Sequence, residues 1–415
     1  MNKVTDGSES PVKLIFGMCV AEVLSMVPVF SFPALIPIFF QEWGIDNTAA
    51  GWINGVFFGG YTAAVAVLAS LTDRVDPRRI YMLSAGLTSL AAMGFALLAN
   101  GFWTALLFRT LGGIGLAGTY IPGLKALVDR LEGKRQARAI SFYTATFGMG
   151  TALSFFATGV FAEFFGWRRA FALAGVLTLL PMILAGATLR PRPPQGDEKP
   201  DTHLLDFRPV LRNRRAMAYI LAYASHMWEL FATRSWMVAF LAFSLGLQST
   251  GRSLWTPTTI AAISNLLAMW ASITGAELAL RFGRKKILTL IMMGSALFGC
   301  LIGFTASLPY PVVALLCILY CLFVQGDSAA LHTGTVQAAA IELRGATLAA
   351  QSLIGFFIAS VSPLAAGLVL DHTGGGQTVL SWGVAFISIG FPVFLGPFIL
   401  RLLDRPEWMG SDLSI

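Results

Sequence analysis

The chain alternates between two textures: long runs in which nearly every position is apolar, and short clusters where Lys, Arg, Asp, Gly and Pro crowd together. An α-helix needs about 20 apolar residues to cross the hydrocarbon core of a bilayer. Twelve runs of that kind stand out, near 14–39, 48–69, 80–99, 102–126, 139–162, 170–189, 216–245, 256–279, 287–306, 311–333, 347–369 and 379–402. No stretch between them is long enough for a soluble domain. The first run follows a short polar start, MNKVTDGSESPVK, is too long for the apolar part of a signal peptide, and lacks a clear small-residue cleavage site, so it is read as a retained helix. The pattern predicts an all-α membrane protein with 12 transmembrane helices.

Composition supports this class. Of 415 residues, 56% are hydrophobic and 12% charged, and the mean hydropathy is +0.70, whereas about a quarter of an ordinary soluble domain is charged. A net charge of +7 would suit a nucleic-acid partner if it gathered on one face, but it is scattered in clusters between spans. The bilayer is the expected partner, and no nucleic acid is. Arg168, Arg169 and Arg252 alone fall in loops of one parity and Arg109 and Arg234 deep inside spans, leaving 24 of the 29 Lys and Arg in loops of the other parity, at the span ends that border them, or in the termini. That excess marks the cytoplasmic face, so both termini are expected there. Cys19, Cys300, Cys317 and Cys321 all lie in apolar segments, so no disulfide framework is expected.

The longest loop, PRPPQGDEKPDTHLLDFRPVLRNRR, is rich in Pro and charge and reads as a solvated linker over 191–215. It divides the chain into an N-terminal six-helix bundle (1–190) and a C-terminal one (216–415). The halves share landmarks. Arg281-Phe-Gly-Arg-Lys-Lys286 before the ninth span echoes Arg74-Val-Asp-Pro-Arg-Arg79 before the third, 207 residues earlier, and the same 207 residues separate Glu229 from Glu22. Two landmarks with one offset argue for an internal duplication, a layout that places a substrate site near the midplane between the repeats.

LASLTDRVDPRR (Leu68 to Arg79), FRTLGGIG with Arg109, Gly113 and Gly115, and GWRRAF from Gly166 together resemble the major facilitator superfamily, over essentially the whole chain. The resemblance implies two pseudo-symmetric six-helix bundles that work by alternating access, and it carries almost no information on substrate. It also implies a conformational latch at Asp73, Arg74 and Arg78, with Arg281 and Arg284 in the second copy. An Asp there can accept from backbone N–H groups at a neighbouring helix start and from Arg, tying the halves together in one state. The chain departs from the usual pattern at Ala69, Asp76, Pro77 and Leu280. Helix 7 is similar to that of uncharacterised bacterial members described as cyanate-permease-like.

Other motifs carry less. Gly113-Ile-Gly115-Leu-Ala-Gly118 matches a dinucleotide fingerprint in letters only, because it lies mid-span with no preceding strand; close helix packing explains it better. His226 and Glu229 at i, i+3 have the spacing of half a di-metal site, but only His332 and Glu22 are available for the rest. No metal or cofactor is expected. No Walker loop, nucleophile elbow or zinc pair appears, which argues against an enzyme or an ATP-driven pump.

The chemistry therefore rests on ionisable residues inside spans, which are costly there and functional by default. They are Glu22, Arg109, His226, Glu229, Arg234 and Asp327. Arginine cannot shed its proton, so Arg109 and Arg234 each need a carboxylate, backbone carbonyls or an anionic ligand. The family pattern favours a structural role for Arg109; for Arg234, substrate contact and internal pairing stand level. Glu229 is five residues from Arg234, poor geometry for a pair within one helix. A buried carboxyl favours its neutral form and can exchange a proton when a cavity opens, so Glu22, Glu229 and Asp327 are coupling candidates, with His226 placed to tune or relay the Glu229 proton. Trp228, Trp236, Tyr61, Tyr120, Tyr143 and Tyr320 are further candidates for a cavity wall.

These residues point to a monomeric secondary transporter of a small metabolite, with buried arginines favouring an anion and carboxyls favouring proton symport. A proton-antiport exporter of drugs or metabolites is the nearest alternative, although Phe142 to Gly159 lacks the Pro of the exporters' usual helix-5 signature. A non-transporting membrane sensor or assembly factor is the alternative from another class; it predicts no substrate-dependent proton flux.

Overall fold

The computed structural model describes residues 11–72, 74–191, 207–248 and 255–403. Regular structure among them is helical throughout. The first expected span comprises α1 (Pro11–Ser25), α2 (Ser31–Ala34) and α3 (Ile36–Trp43), followed by α4 (Asn47–Leu71), α5 (Pro77–Leu98), α6 (Phe102–Val128), α7 (Gly133–Phe165) and α8 (Trp167–Thr188). After the short α9 (Arg208–Arg212) come α10 (Arg214–Gly246), α11 (Pro257–Phe282), α12 (Arg284–Ile302), α13 (Tyr310–Gly326), α14 (Ser328–Ala338), α15 (Arg344–His372), α16 (Val379–Gly390) and α17 (Leu395–Leu403).

Among the described residues, ten helical stretches are long and apolar enough to cross a membrane. This is a multi-pass, all-α membrane protein. Two of the twelve expected spans fall outside that set for physical reasons. The first is not one continuous helix: Pro28 and Pro33 each lack an N–H and crowd the preceding turn, so the chain breaks over 26–30. The seventh, α10, has 33 residues but dilutes its apolar character with Arg214, Arg215, His226, Glu229 and Arg234.

Helix starts follow capping rules. Asp46 accepts from Ala49 N at 2.7 Å to begin α4, Asp76 from Arg78 N at 3.0 Å to begin α5, and Asn213 from Ala216 N at 3.0 Å to begin α10. Gly283, the turn residue of the second loop signature, has φ +91°, which a residue with a Cβ rarely adopts.

Because the helices alternate in direction, their ends form two layers. The linker side carries the ends of α8 and α5, joined by Arg78 donating to Gly186 O at 2.9 Å, and those of α10 and α14, joined by Asn213 Nδ2 donating to Ala338 O at 2.9 Å. At the opposite, far side the first and second halves of the chain close on one another through α4 and α15. A Cβ on Gly55 would stand 2.1 Å from Ser360 O, so only glycine permits this backbone approach. Gly113 does the same for α6 against α4, where a Cβ would lie 1.8 Å from Phe57 O. At the far end Asp371 of α15 receives four hydrogen bonds from the start of α4: Asn47 N (3.1 Å), Asn47 Nδ2 (2.7 Å), Thr48 N (2.7 Å) and Thr48 Oγ1 (2.6 Å). A carboxylate on a helix N-terminus is thus the polar tie between the two halves.

Candidate functional site

A helix buried on every side is a hub of the fold. From His226 to Leu241, α10 is buried at every position but Trp228, which is half-buried. Placing His226, Glu229 and Arg234 on this helix leaves each no route to water except through the protein interior, and neighbouring helices must answer them.

Arg234 is only 6% exposed, and no carboxylate among the described residues lies within 4.0 Å of it. Its Nε donates to Asn265 Oδ1 at 3.0 Å and its Nη2 to Gln325 Oε1 at 3.5 Å. Three rings surround the guanidinium, with centroids at 5.6 Å (Phe30), 5.8 Å (Phe147) and 5.7 Å (Phe231). Phe30 and Phe147 come from the first half of the chain, whereas Phe231, Asn265 and Gln325 come from the second. A permanent cation thus stands between the halves, held by neutral amides and ring faces. Sequence reading singled out the arginine and missed all five neighbours. The amides Asn265 and Gln325 in otherwise apolar spans were the available signal.

Glu229 sits below it in a hydroxyl cage. Ser295 Oγ donates to Oε2 at 2.7 Å, Tyr320 OH donates to Oε1 at 2.9 Å, and Thr233 donates in turn to Tyr320 at 3.3 Å. Glu22 has a related cage: Oε2 accepts from Tyr143 OH at 2.9 Å and from Ser25 Oγ at 3.2 Å, while Oε1 has no partner. Each carboxyl meets a tyrosine and a serine, with no cation beside it among the described residues. Burial without a counter-ion is costly for an ionised carboxylate and mild for a hydrogen-bonded neutral one.

His226 packs against a different acid. Its Nδ1 lies 2.7 Å from Asp327 Oδ1, at the junction of α13 and α14, without the alignment of a hydrogen bond. His226 thus meets Asp327, whereas Glu229 meets Ser295 and Tyr320. His226 Nε2 has no partner, and the Tyr223 ring stands 5.7 Å away.

Arg109 has a structural task. Its Nη1 donates to Pro28 O at 3.0 Å, its Nη2 to Val29 O at 2.9 Å, and it lies 4.2 Å from the centre of the Phe57 ring. The break in the first span frees backbone groups that hydrocarbon cannot satisfy. Arg109 takes two of the carbonyls, and Ser154 bridges two more groups by accepting from Phe30 N at 3.0 Å and donating to Val27 O at 2.6 Å.

Of the expected latch residues, Asp73 lies outside the described residues. Arg74 is exposed. Arg78 bonds to Gly186 O, Arg281 pairs with Glu277 at 2.6 Å, and Arg284 donates to Gln337 at 2.9 Å, each within its own half. The cross-chain tie at Asp371, at the other end of the molecule, had not been singled out in the sequence.

Comparison with known proteins agrees with this architecture. The profile of the Major Facilitator Superfamily matches residues 18–341. The sphingosine-1-phosphate transporter SPNS2 of Mus musculus is 26% identical over 389 residues, covering 87% of this chain and 70% of its own. A probable L-galactonate transporter of Escherichia coli K12 is 24% identical over 361 residues, covering 80% of this chain and 77% of its own. Among solved structures, a bacterial homolog of the human lysosomal transporter Spinster, in an inward-facing and unoccupied conformation, superposes with a TM-score of 0.74 at 17% identity over 95% of each chain. With the profile spanning most of the sequence and the helical architecture to match, this chain belongs to the major facilitator superfamily and is a multi-pass membrane transporter.

Proposed function

We propose that the protein is a proton-coupled secondary transporter of a small anionic metabolite, working by alternating access. The single observation that carries this is Arg234: a buried guanidinium between the two halves, held by amides and rings and free of any carboxylate partner among the described residues. A permanent charge in that position attracts an anion, and its placement lets both halves feel the ligand. Two relatives are named as transporters of sphingosine-1-phosphate and, provisionally, L-galactonate; a phosphate or carboxylate is the kind of group such a cradle holds.

In this reading twelve helices form bundles over 1–190 and 216–415, joined by the linker 191–215, in a monomer with both termini in the cytoplasm of a bacterium. The far side, tied by Asp371 to Asn47 and Thr48, is the closed gate. Glu22 and Glu229 carry protons in their hydroxyl cages, and His226 with Asp327 forms a third exchange point. An anion that enters with a proton crosses with little net charge, which favours symport.

Reconstituted protein tests this directly. Radiolabelled organic anions are offered in counterflow, with and without an imposed pH gradient. The proposal expects Arg234-dependent exchange and accumulation driven by the gradient. If amphipathic cations are exported and anions ignored, the antiport alternative replaces it; if neither is moved, the sensor alternative does.

A further inference from the structure

The surroundings of Arg234 define the cargo more narrowly than its charge does. Among the described residues the mid-span cations are Arg109 and Arg234, and Arg109 is occupied by the Pro28 and Val29 carbonyls. Lys125 lies near a helix end, 3.2 Å from Asp129. A second negative group on a ligand at Arg234 would therefore find no cation.

Around that single charge the walls are aromatic and continuous. Beyond Phe30, Phe147 and Phe231, the Phe58 ring lies 4.5 Å from Phe231, and Phe356 lies 5.7 Å from Phe231 and 4.3 Å from Tyr61. Phe147 and Phe356 are only half-buried, so part of each ring is left uncovered by the protein. Asn265 and Gln325 already hold Arg234. Asn54, one helical turn from Phe58 and on the same face of α4, is 1% exposed with both side-chain polar atoms unpartnered. Gln351, five residues before Phe356 on α15, is likewise 1% exposed with both amide atoms unpartnered, so the surroundings offer one cation, several rings and two unpaired amides.

We infer that the cargo is an organic monoanion with a flat, apolar body, of the aromatic monocarboxylate class: its carboxylate meets Arg234, its ring lies among Phe30, Phe147 and Phe231, and Asn54 and Gln351 are left for at most two further polar groups. This deepens the anion reading and rests on it. A polyhydroxy acid would leave hydroxyls against rings, and a dicarboxylate would bury a charge with no partner. Offset or edge-on stacking gives the ring its preference for this wall.

The test uses the full chain in nanodiscs with phenylacetate, gluconate, succinate and inorganic phosphate as probes, and titration calorimetry as readout. Phenylacetate is expected to bind at least tenfold more tightly than the other three. Arg234→Ala should abolish that binding. Phe147→Leu should weaken it at least fivefold and Phe147→Tyr should keep it, with both variants melting like the parent. Tighter binding of gluconate, succinate or phosphate that still requires Arg234 overturns the cargo class and leaves the anion reading standing. Absence of any Arg234-dependent binding across the panel overturns both.

Discussion

On the proposed alternating-access reading, the tie between Asp371 and the start of α4 sets how firmly the far side closes. Asp371→Asn keeps the size of the side chain but removes its charge, and it replaces one of the two accepting oxygens with an amide that faces donors. Of the four bonds, at 2.6 to 3.1 Å, the two on that oxygen are lost and two persist. A hydrogen bond to a charged group contributes about 1.5–3 kcal/mol, and a carboxylate at an exposed helix N-terminus about 0.3–1 kcal/mol. Asp371 is half-buried, so water replaces part of what is lost. A net cost near 2 kcal/mol to the closed form follows, roughly a thirtyfold shift of the gate equilibrium toward opening. Spin labels at the exposed far-side residues Gln41 and Gln377, on a background with the native cysteines replaced, report it as pulsed-EPR distance distributions. The substituted protein should gain a long-distance population that the parent lacks. If Asp371→Asn and Asp371→Ala both leave the distribution unchanged in well-folded protein, the tie does not control the gate and the reasoning is refuted.

Other outcomes follow from the same geometry. Gly55→Leu cannot be accommodated against Ser360 O, so it should hold the far side open and suppress exchange while leaving binding measurable from that side by calorimetry. Arg109→Ala leaves the Pro28 and Val29 carbonyls buried without donors. At about 1–3 kcal/mol for each orphaned group, it should lower the melting temperature sharply in a thermal-shift assay, and Arg109→Lys should recover only part. Glu22→Gln and Glu229→Gln keep the hydroxyl contacts but cannot exchange a proton. At least one should abolish gradient-driven accumulation while sparing counterflow, read as radiolabel uptake in the two modes.

The membrane class and most helix positions were legible because a span is a local property: about 20 apolar residues announce it without reference to any neighbour. Gly113 and Gly115 also spoke locally, since a glycine run mid-span has few uses but close packing. The broken first span was not legible, because Pro28 and Pro33 are compatible with a kinked helix as much as with a broken one; what settles it is that Ser154 and Arg109 stand ready to satisfy the freed backbone. The buried charges were visible as anomalies in sequence, but their partners were not. Whether Arg234 meets Glu229 or Asn265, and whether His226 meets Glu229 or Asp327, depends on which helix packs against each face of α10. Asp371 escaped notice because an acid at a helix end looks like an ordinary solvated residue until the start of α4, 324 residues away, is placed against it.

Counterflow of radiolabelled monocarboxylates into proteoliposomes bearing the parent or Arg234→Ala, with equal reconstitution and matched thermal stability, tests the central claim most directly. Saturable exchange by the parent and its loss in Arg234→Ala is the predicted result. Undiminished exchange of the same anion by Arg234→Ala would contradict the account.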